Sequence, residues 1–442
     1  MAEFDVILRN GYIVTEKGVS KGDIAIKGGK IAAISCIDQL KGTAADEIDV
    51  TDQYILPGLI DTHVHFNEPG RTDWEGFETG SKALAAGGVT TFFDMPLNSH
   101  PATINKDAFD LKFSRGLEKS LVNFYLWGGL VPSNINHLQE LSECGAIGFK
   151  AFMSDSGIAD FKACDDVHLL QGMEKISELQ SLLAVHAESQ QITEHLTNTL
   201  IRRGDTSAKS FSQSRPILSE IEAVQRILTY AKLTNCKIHI VHVTSSEVIS
   251  QITAAKKQGV DVTVETCPHY LSLTTADLAE KGVIAKCAPP LRQAKEVEML
   301  WDALRNGEID IIGSDHSPSP PELKEGDFFT AWGGISGAQT TLNILLEEGY
   351  WKRNISLETI VRLTATNPAK RFKLFPQKGI LDIESDADLT IIDLNESFVL
   401  KKEDLFYKHQ QSPFLGKKFR GKVKYTLVNG KLVYPSLKEK IR

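Results

Sequence analysis

Between residues 57 and 375 short apolar runs occur eight times, most of them followed by a stretch with helical spacing, though without an internal sequence repeat. The runs are Leu59 to Val64, Thr90 to Asp94, Asn123 to Trp127, Ala146 to Phe152, Leu182 to His186, Lys237 to Val243, Asp261 to Glu265 and Asp310 to Gly313. Leu218 to Thr234 and Ser246 to Gln258 are the clearest helical stretches. Strands buried on both faces read as unbroken apolar runs, and joining parallel neighbours requires a crossover. The pattern predicts an α/β fold, a (β/α)8 TIM barrel. A doubly wound open sheet competes with it, and periodicity alone gives the barrel only a modest edge.

The two ends have another texture. In 1–56, Phe4-Asp5-Val6-Ile7-Leu8 runs into Asn10-Gly11, and Asp23-Ile24-Ala25-Ile26 into Lys27-Gly28-Gly29-Lys30. In 376–442, Asp388 to Asp393 reads as a strand, and Val423 to Tyr434 alternates about Asn429-Gly430. Neither end is long enough to bury a core alone. The expectation is one small composite β-sandwich made by both, beside a catalytic barrel over 57–375.

A net charge of -8 over 442 residues leaves no basic stripe for nucleic acid, and Lys417, Lys418 and Arg420 read as a solvated face. No run approaches a membrane span, and the first residues do not form a signal peptide. Six cysteines without C-x-x-C spacing suggest reduced thiols and a cytoplasmic setting. Phosphate-loop, dinucleotide and nucleophile-elbow motifs are missing from the sequence.

The chemistry concentrates at the ends of the runs. His63-Val64-His65 closes the first, His186 the fifth and His242 the sixth, while Asp315 follows the eighth. An H-x-H pair alone is commonly ordinary, but strand C-termini of a barrel converge on one mouth. Four imidazoles and a carboxylate meeting there suit divalent cations. Lys150 ends the fourth run, where an ammonium would be repelled by cations. A neutral lysine can add carbon dioxide and become a carbamate. Two divalent cations bring four positive charges; Asp315, a carbamate and a hydroxide remove three, and without the carbamate one more stays uncompensated. His137, His168, His195, His239, His316 and His409 read as structural, whereas His269, just past the seventh run, is open either way.

Gly58-Leu59-Ile60-Asp61-Thr62-His63-Val64-His65, together with Lys150, His186, His242 and Asp315, resembles the cyclic amidohydrolases. That family comprises dihydropyrimidinases and hydantoinases, dihydroorotases and allantoinases, and the similarity spans essentially the whole chain. It implies two divalent metal ions, commonly zinc: His63, His65 and Asp315 on one, His186 and His242 on the other, N6-carboxylated Lys150 joining them. It also implies that Asp315 moves the proton, first as base and then as acid. Within the family, His65 to Arg71, Trp74 to Phe77, Asp94 to Asn98 and Trp332 to Gln339 are most similar to allantoinases. Asn67 stands where dihydroorotases carry an arginine for a substrate carboxylate, and Asp155 where hydantoinases carry a tyrosine. The expected substrate is therefore a small cyclic ureide, allantoin, opened to allantoate; a hydantoinase/dihydropyrimidinase-type or dihydroorotase-type enzyme is the alternative. A non-catalytic scaffold on this fold, expected to have lost metal ligands that this chain keeps, is the rival of another class. Asn67, Arg71, Asn98, Ser154 and Asp155 are candidates to touch the substrate, while Glu68 and Glu75 read as caps or loop ties. A homo-oligomer, a tetramer, is implied by resemblance only.

Overall fold

The computed structural model describes residues 2–435. Its centre is a ring of parallel strands: Leu59–Val64, Val89–Asp94, Asn123–Leu126 continued by Gly128–Gly129, Phe149–Phe152, Leu182–His186, Lys237–Ile240, Val262–Thr266 and Ile311–Ile312. They pair in chain order in two arcs that meet at the third strand. The seam is bridged by Trp127, whose backbone N–H donates to Asp94 O (3.0 Å). The ring closes where Val64 bridges His316 in parallel and His65 N–H donates to His316 O at 2.8 Å. Closure excludes the open-sheet alternative and sets every strand C-terminus on one rim.

Several expected boundaries shift, each for a local reason. The fourth strand starts at Phe149, because Ala146 N–H bonds back to Leu141 O (3.1 Å) and finishes the helix Leu138–Glu143. Lys150 is thus the second residue of its strand and not the last. The sixth strand stops at Ile240, because His242 takes a left-handed φ of 43° that extended pairing cannot accommodate.

The strands of both chain ends form one eight-stranded sheet. Tyr54–Pro57 joins the halves, pairing antiparallel with residues Leu389 to Ile392. Leu8, Ile24, Ile55, Leu389, Ile391 and Leu427 are buried in a core of its own. Asn10-Gly11 proves to be a bulge inside the strand Phe4–Thr15, because Asp23 Oδ1 accepts the Asn10 N–H at 2.8 Å and holds the chain on course. Gly28-Gly29, with φ of 59° and 80°, does form a hairpin turn. Of the expected end domain, residues 436–442 lie outside the described residues. No helix among the described residues is long and apolar enough to cross a membrane.

Candidate active site

The rim of the barrel opens into a cavity of about 460 Å³ whose wall includes His63, His65, His186, His242 and Asp315, within the range of small-molecule sites. His63 and His65 point to one side of the first strand and present Nε2 to Asp315 Oδ1 at 3.2 and 3.4 Å. Ligand atoms of these three residues all lie within 4.8 Å of one another. His186 Nδ1 faces His242 Nε2 at 3.0 Å, and the His63 and His242 rings are 5.5 Å apart. The structure therefore brings the four histidines and Asp315 together. Lys150 lies beneath them, fully buried, its Nζ without a hydrogen-bond partner and 5.0 Å from the Phe152 ring centre.

Two members sit in strained backbone. Both His242 (φ 43°) and Asp315 (φ 46°) are left-handed, a conformation costly for residues with a Cβ and held only by surrounding structure. Around Asp315, Ser314 N–H donates to Asp61 Oδ1 at 2.9 Å, and Ser314 Oγ donates to His63 O at 3.3 Å. These bonds tie the eighth strand's loop to the first strand.

Electrostatics favours cation ligands. Burial lowers His65 to about 4 and His242 well below the usual histidine range, so both are neutral with lone pairs available. Burial pushes the Asp315 carboxyl up, but His63 and His65 overcome this and hold it at about 2, ionised at neutral pH. Lys150 is drawn down by burial to about 7. Orphaned buried nitrogens, neutral imidazoles and one ionised carboxylate form a donor set that fits divalent cations.

Residues that the sequence did not reveal complete the site. His63 donates from Nδ1 to Glu265 Oε1 (2.8 Å), leaving Nε2 for the centre. His186 donates from Nε2 to Glu188 Oε2 (2.8 Å), leaving Nδ1. Such partners orient ligating imidazoles and select their tautomer. Glu265 also accepts from Thr62 Oγ1 (2.5 Å) and His239 Nε2 (3.1 Å). Gly313 makes room: a Cβ there would lie 2.8 Å from the Glu265 carboxylate. Two lysines clamp the loop that forms the far wall. Lys286 Nζ donates to Ala331 O, and Lys324 Nζ donates to Trp332 O (3.1 Å) and Gly334 O (2.6 Å). Glu265 is remote from His63 in sequence, whereas Glu188 stands two residues after His186 and could have been read from that spacing.

Of the five substrate candidates, Asn98 and Asp155 line the cavity. The others do not. Arg71 donates to Asn98 O at 2.9 Å and lies over Trp74, which makes it a loop tie. Asn67 is buried against Pro318 O (3.4 Å), and Ser154 is fully buried. The cavity wall instead takes Arg215, Lys286, Phe329 and Trp332. Glu68 accepts the Phe77 N–H at a helix start (3.0 Å), and Glu75 accepts the Lys408 N–H (3.0 Å). His316 is buried and structural, accepting the Gly337 N–H at 3.3 Å.

A closed barrel with such a centre on its C-terminal rim defines a class, and the chain belongs to it: the Amidohydrolase family matches residues 54–433. The allantoinase of Deinococcus radiodurans is 48% identical over 97% of this chain and 95% of that protein. The allantoinase of Solibacter usitatus is 46% identical over 97% and 93%. Among solved structures, the L-hydantoinase (dihydropyrimidinase) of Arthrobacter aurescens superposes with a TM-score of 0.95 at 36% identity, covering 97% of this chain and 96% of that one.

Proposed function

We propose that this protein hydrolyses a cyclic amide bond of allantoin to give allantoate. Two similarities support the choice. The curated relatives above, matched almost end to end, are named allantoinases, and the solved relative is named for hydantoin, the ring that allantoin carries with a ureido tail. The observation that carries the chemistry is an ionised Asp315 held against His63 and His65 at the cavity wall.

His63, His65 and Asp315 would hold one divalent cation, His186 and His242 a second, with carboxylated Lys150 between them. When bound, the cations polarise the amide carbonyl and lower the pKa of water. The remaining work belongs to the chain. Asp315 accepts the proton of the attacking water and returns it to the leaving ring nitrogen. Glu265 and Glu188 hold His63 and His186 in the tautomers that face the centre. Lys150, buried and unpartnered, is drawn toward the neutral amine that reacts with carbon dioxide. Asn98 and Asp155 offer polar groups to the ring or its tail, and Trp332 shields the cavity. Zinc as the cation, a cytoplasmic setting for the six free cysteines and a homotetramer belong to the same reading.

The test is a panel of allantoin, hydantoin, dihydrouracil and dihydroorotate with metal-loaded protein, products followed by NMR. Allantoin should lead in kcat/KM by at least about tenfold, the lower end of the discrimination that pocket fit alone supplies. A higher value for hydantoin or dihydrouracil would replace this reading with that of the solved relative.

A further inference from the structure

Asp315 belongs to two clusters of ligand atoms. Besides His63 and His65, it lies with Cys267 and His269, and the atoms of this second trio are also within 4.8 Å of one another. Cys267 and His269 follow the seventh strand in a turn pinned by Tyr270 N–H to Cys267 O (3.0 Å) and Leu273 N–H to His269 O (2.8 Å). The turn is anchored again by Tyr270 Oη, which donates to Pro289 O at 2.6 Å. Cys267 is fully buried and His269 is 1% exposed. Neither ring nitrogen of His269 has a hydrogen-bond partner in the structure. A buried imidazole normally satisfies at least one nitrogen, so this ring is set up for a ligand that the protein itself does not supply.

We propose that Cys267, His269 and Asp315 form an additional cation site, selective for soft divalent ions and inhibitory when filled. The donor chemistry distinguishes it from its neighbour. The histidine-rich set contains only nitrogen and oxygen, while this trio adds a cysteine sulfur, which favours thiophilic ions such as cadmium over magnesium, calcium or manganese. On binding, the Cys267 thiol gives its proton to solvent and its sulfur bonds the ion. Inhibition follows because the ion engages Asp315, the group that moves the proton in the proposed reaction. Access is through the cavity, since Asp315 lines it while Cys267 and His269 lie behind. The inhibitory part rests on the function proposed above; the binding part does not.

The experiment titrates cadmium chloride into zinc-loaded protein carrying Cys36→Ser and Cys144→Ser, which remove the two thiols that are not buried. Zinc retention, cadmium stoichiometry, the ultraviolet sulfur-to-cadmium charge-transfer band and turnover of the best cyclic amide are read together. One extra cadmium should bind with zinc retained, the band should appear, and turnover should fall in step with it. Cys267→Ser should abolish the band and the inhibition, and Cys287→Ser, at the nearby thiol of the cavity wall, should keep both. His269→Asn, the second variant should Cys267→Ser not fold, should weaken cadmium binding at least about tenfold. A band that survives Cys267→Ser, zinc leaving one for one with cadmium, or binding without loss of turnover would each overturn the proposal. The band reports the site even if allantoin is not the substrate.

Discussion

His63 and His186 are each backed by a buried carboxylate at 2.8 Å, Glu265 and Glu188, yet the two carboxylates are neutralised differently. Glu265 is surrounded by His63, His239 and Thr62, all on barrel strands. Glu188 pairs with Arg215, whose side chain lines the cavity. Arg292 donates to Arg215 O (2.7 Å) and to Glu220 (2.6 Å), so this half reaches into the helical layer. One half is locked into the barrel interior; the other is wired to the wall that meets the substrate. The difference teaches that similar ligand positions can be supported by a rigid strand network or by one that substrate contacts can disturb.

The largest effect comes from breaking the first half at its centre. Asp315→Asn should lower kcat by roughly 10³-fold or more while the melting temperature stays near the parent value; near-normal turnover would remove its assigned role. Lys150→Ala should cost metal occupancy, measured by elemental analysis, because the proposed carbamate would give both cations a shared protein ligand. Unchanged metal content and activity would count against the carbamate.

Glu265→Gln and Glu188→Gln sharpen the contrast directly. Each should weaken cation binding by about 10- to 100-fold. Only the Glu188 variant should also raise KM, since it leaves Arg215 without its partner at the cavity wall. A matching KM rise in both variants would erase the distinction.

Protons give a smaller and graded effect in chelator-treated protein. His65 is held at about 4 against an ordinary 6.5, so the unfolded chain binds protons that the folded one refuses. Stability should be complete above about pH 6.5 and fall as pH drops toward 4. Asp315 and Glu188, both held at about 2, add a further loss as pH passes below the ordinary carboxylate range toward 2. A melting temperature that stays flat from pH 7 to 4 would contradict the buried neutral imidazoles.

The smallest effect is expected at the far wall. Burial lowers Lys324 to about 7, and its amine ties Trp332 and Gly334. Lys324→Met should raise KM about three- to tenfold with kcat nearly unchanged, the mark of lost uniform binding. A fall in kcat with constant KM would move this lysine from wall to chemistry.

The cluster of histidines and Asp315 was legible because two independent regularities coincide. Apolar runs mark strands, and His63, His65, His186, His242 and Asp315 fall at or just after their ends. The substrate wall was less so. Asn67, Arg71 and Ser154 lie beside the right motifs in sequence, but their side chains turn to Pro318, Asn98 and the interior. Proximity in a loop says which residues are near the mouth and leaves open which way they point.

By itself the sequence determined the alternation of strand and helix, the strand texture of the two ends, and the positions of imidazole, carboxylate and amine along the strands. Those properties are local, set by periodicity and turn chemistry over a few residues. Only the tertiary structure decided that Glu265, 202 residues from His63, orients it, that Gly313 makes room for that carboxylate, and that His242 and Asp315 turn left-handed at the rim. Contacts between remote segments, and strain held by surrounding packing, exist only once the barrel has closed, and no window of sequence contains them.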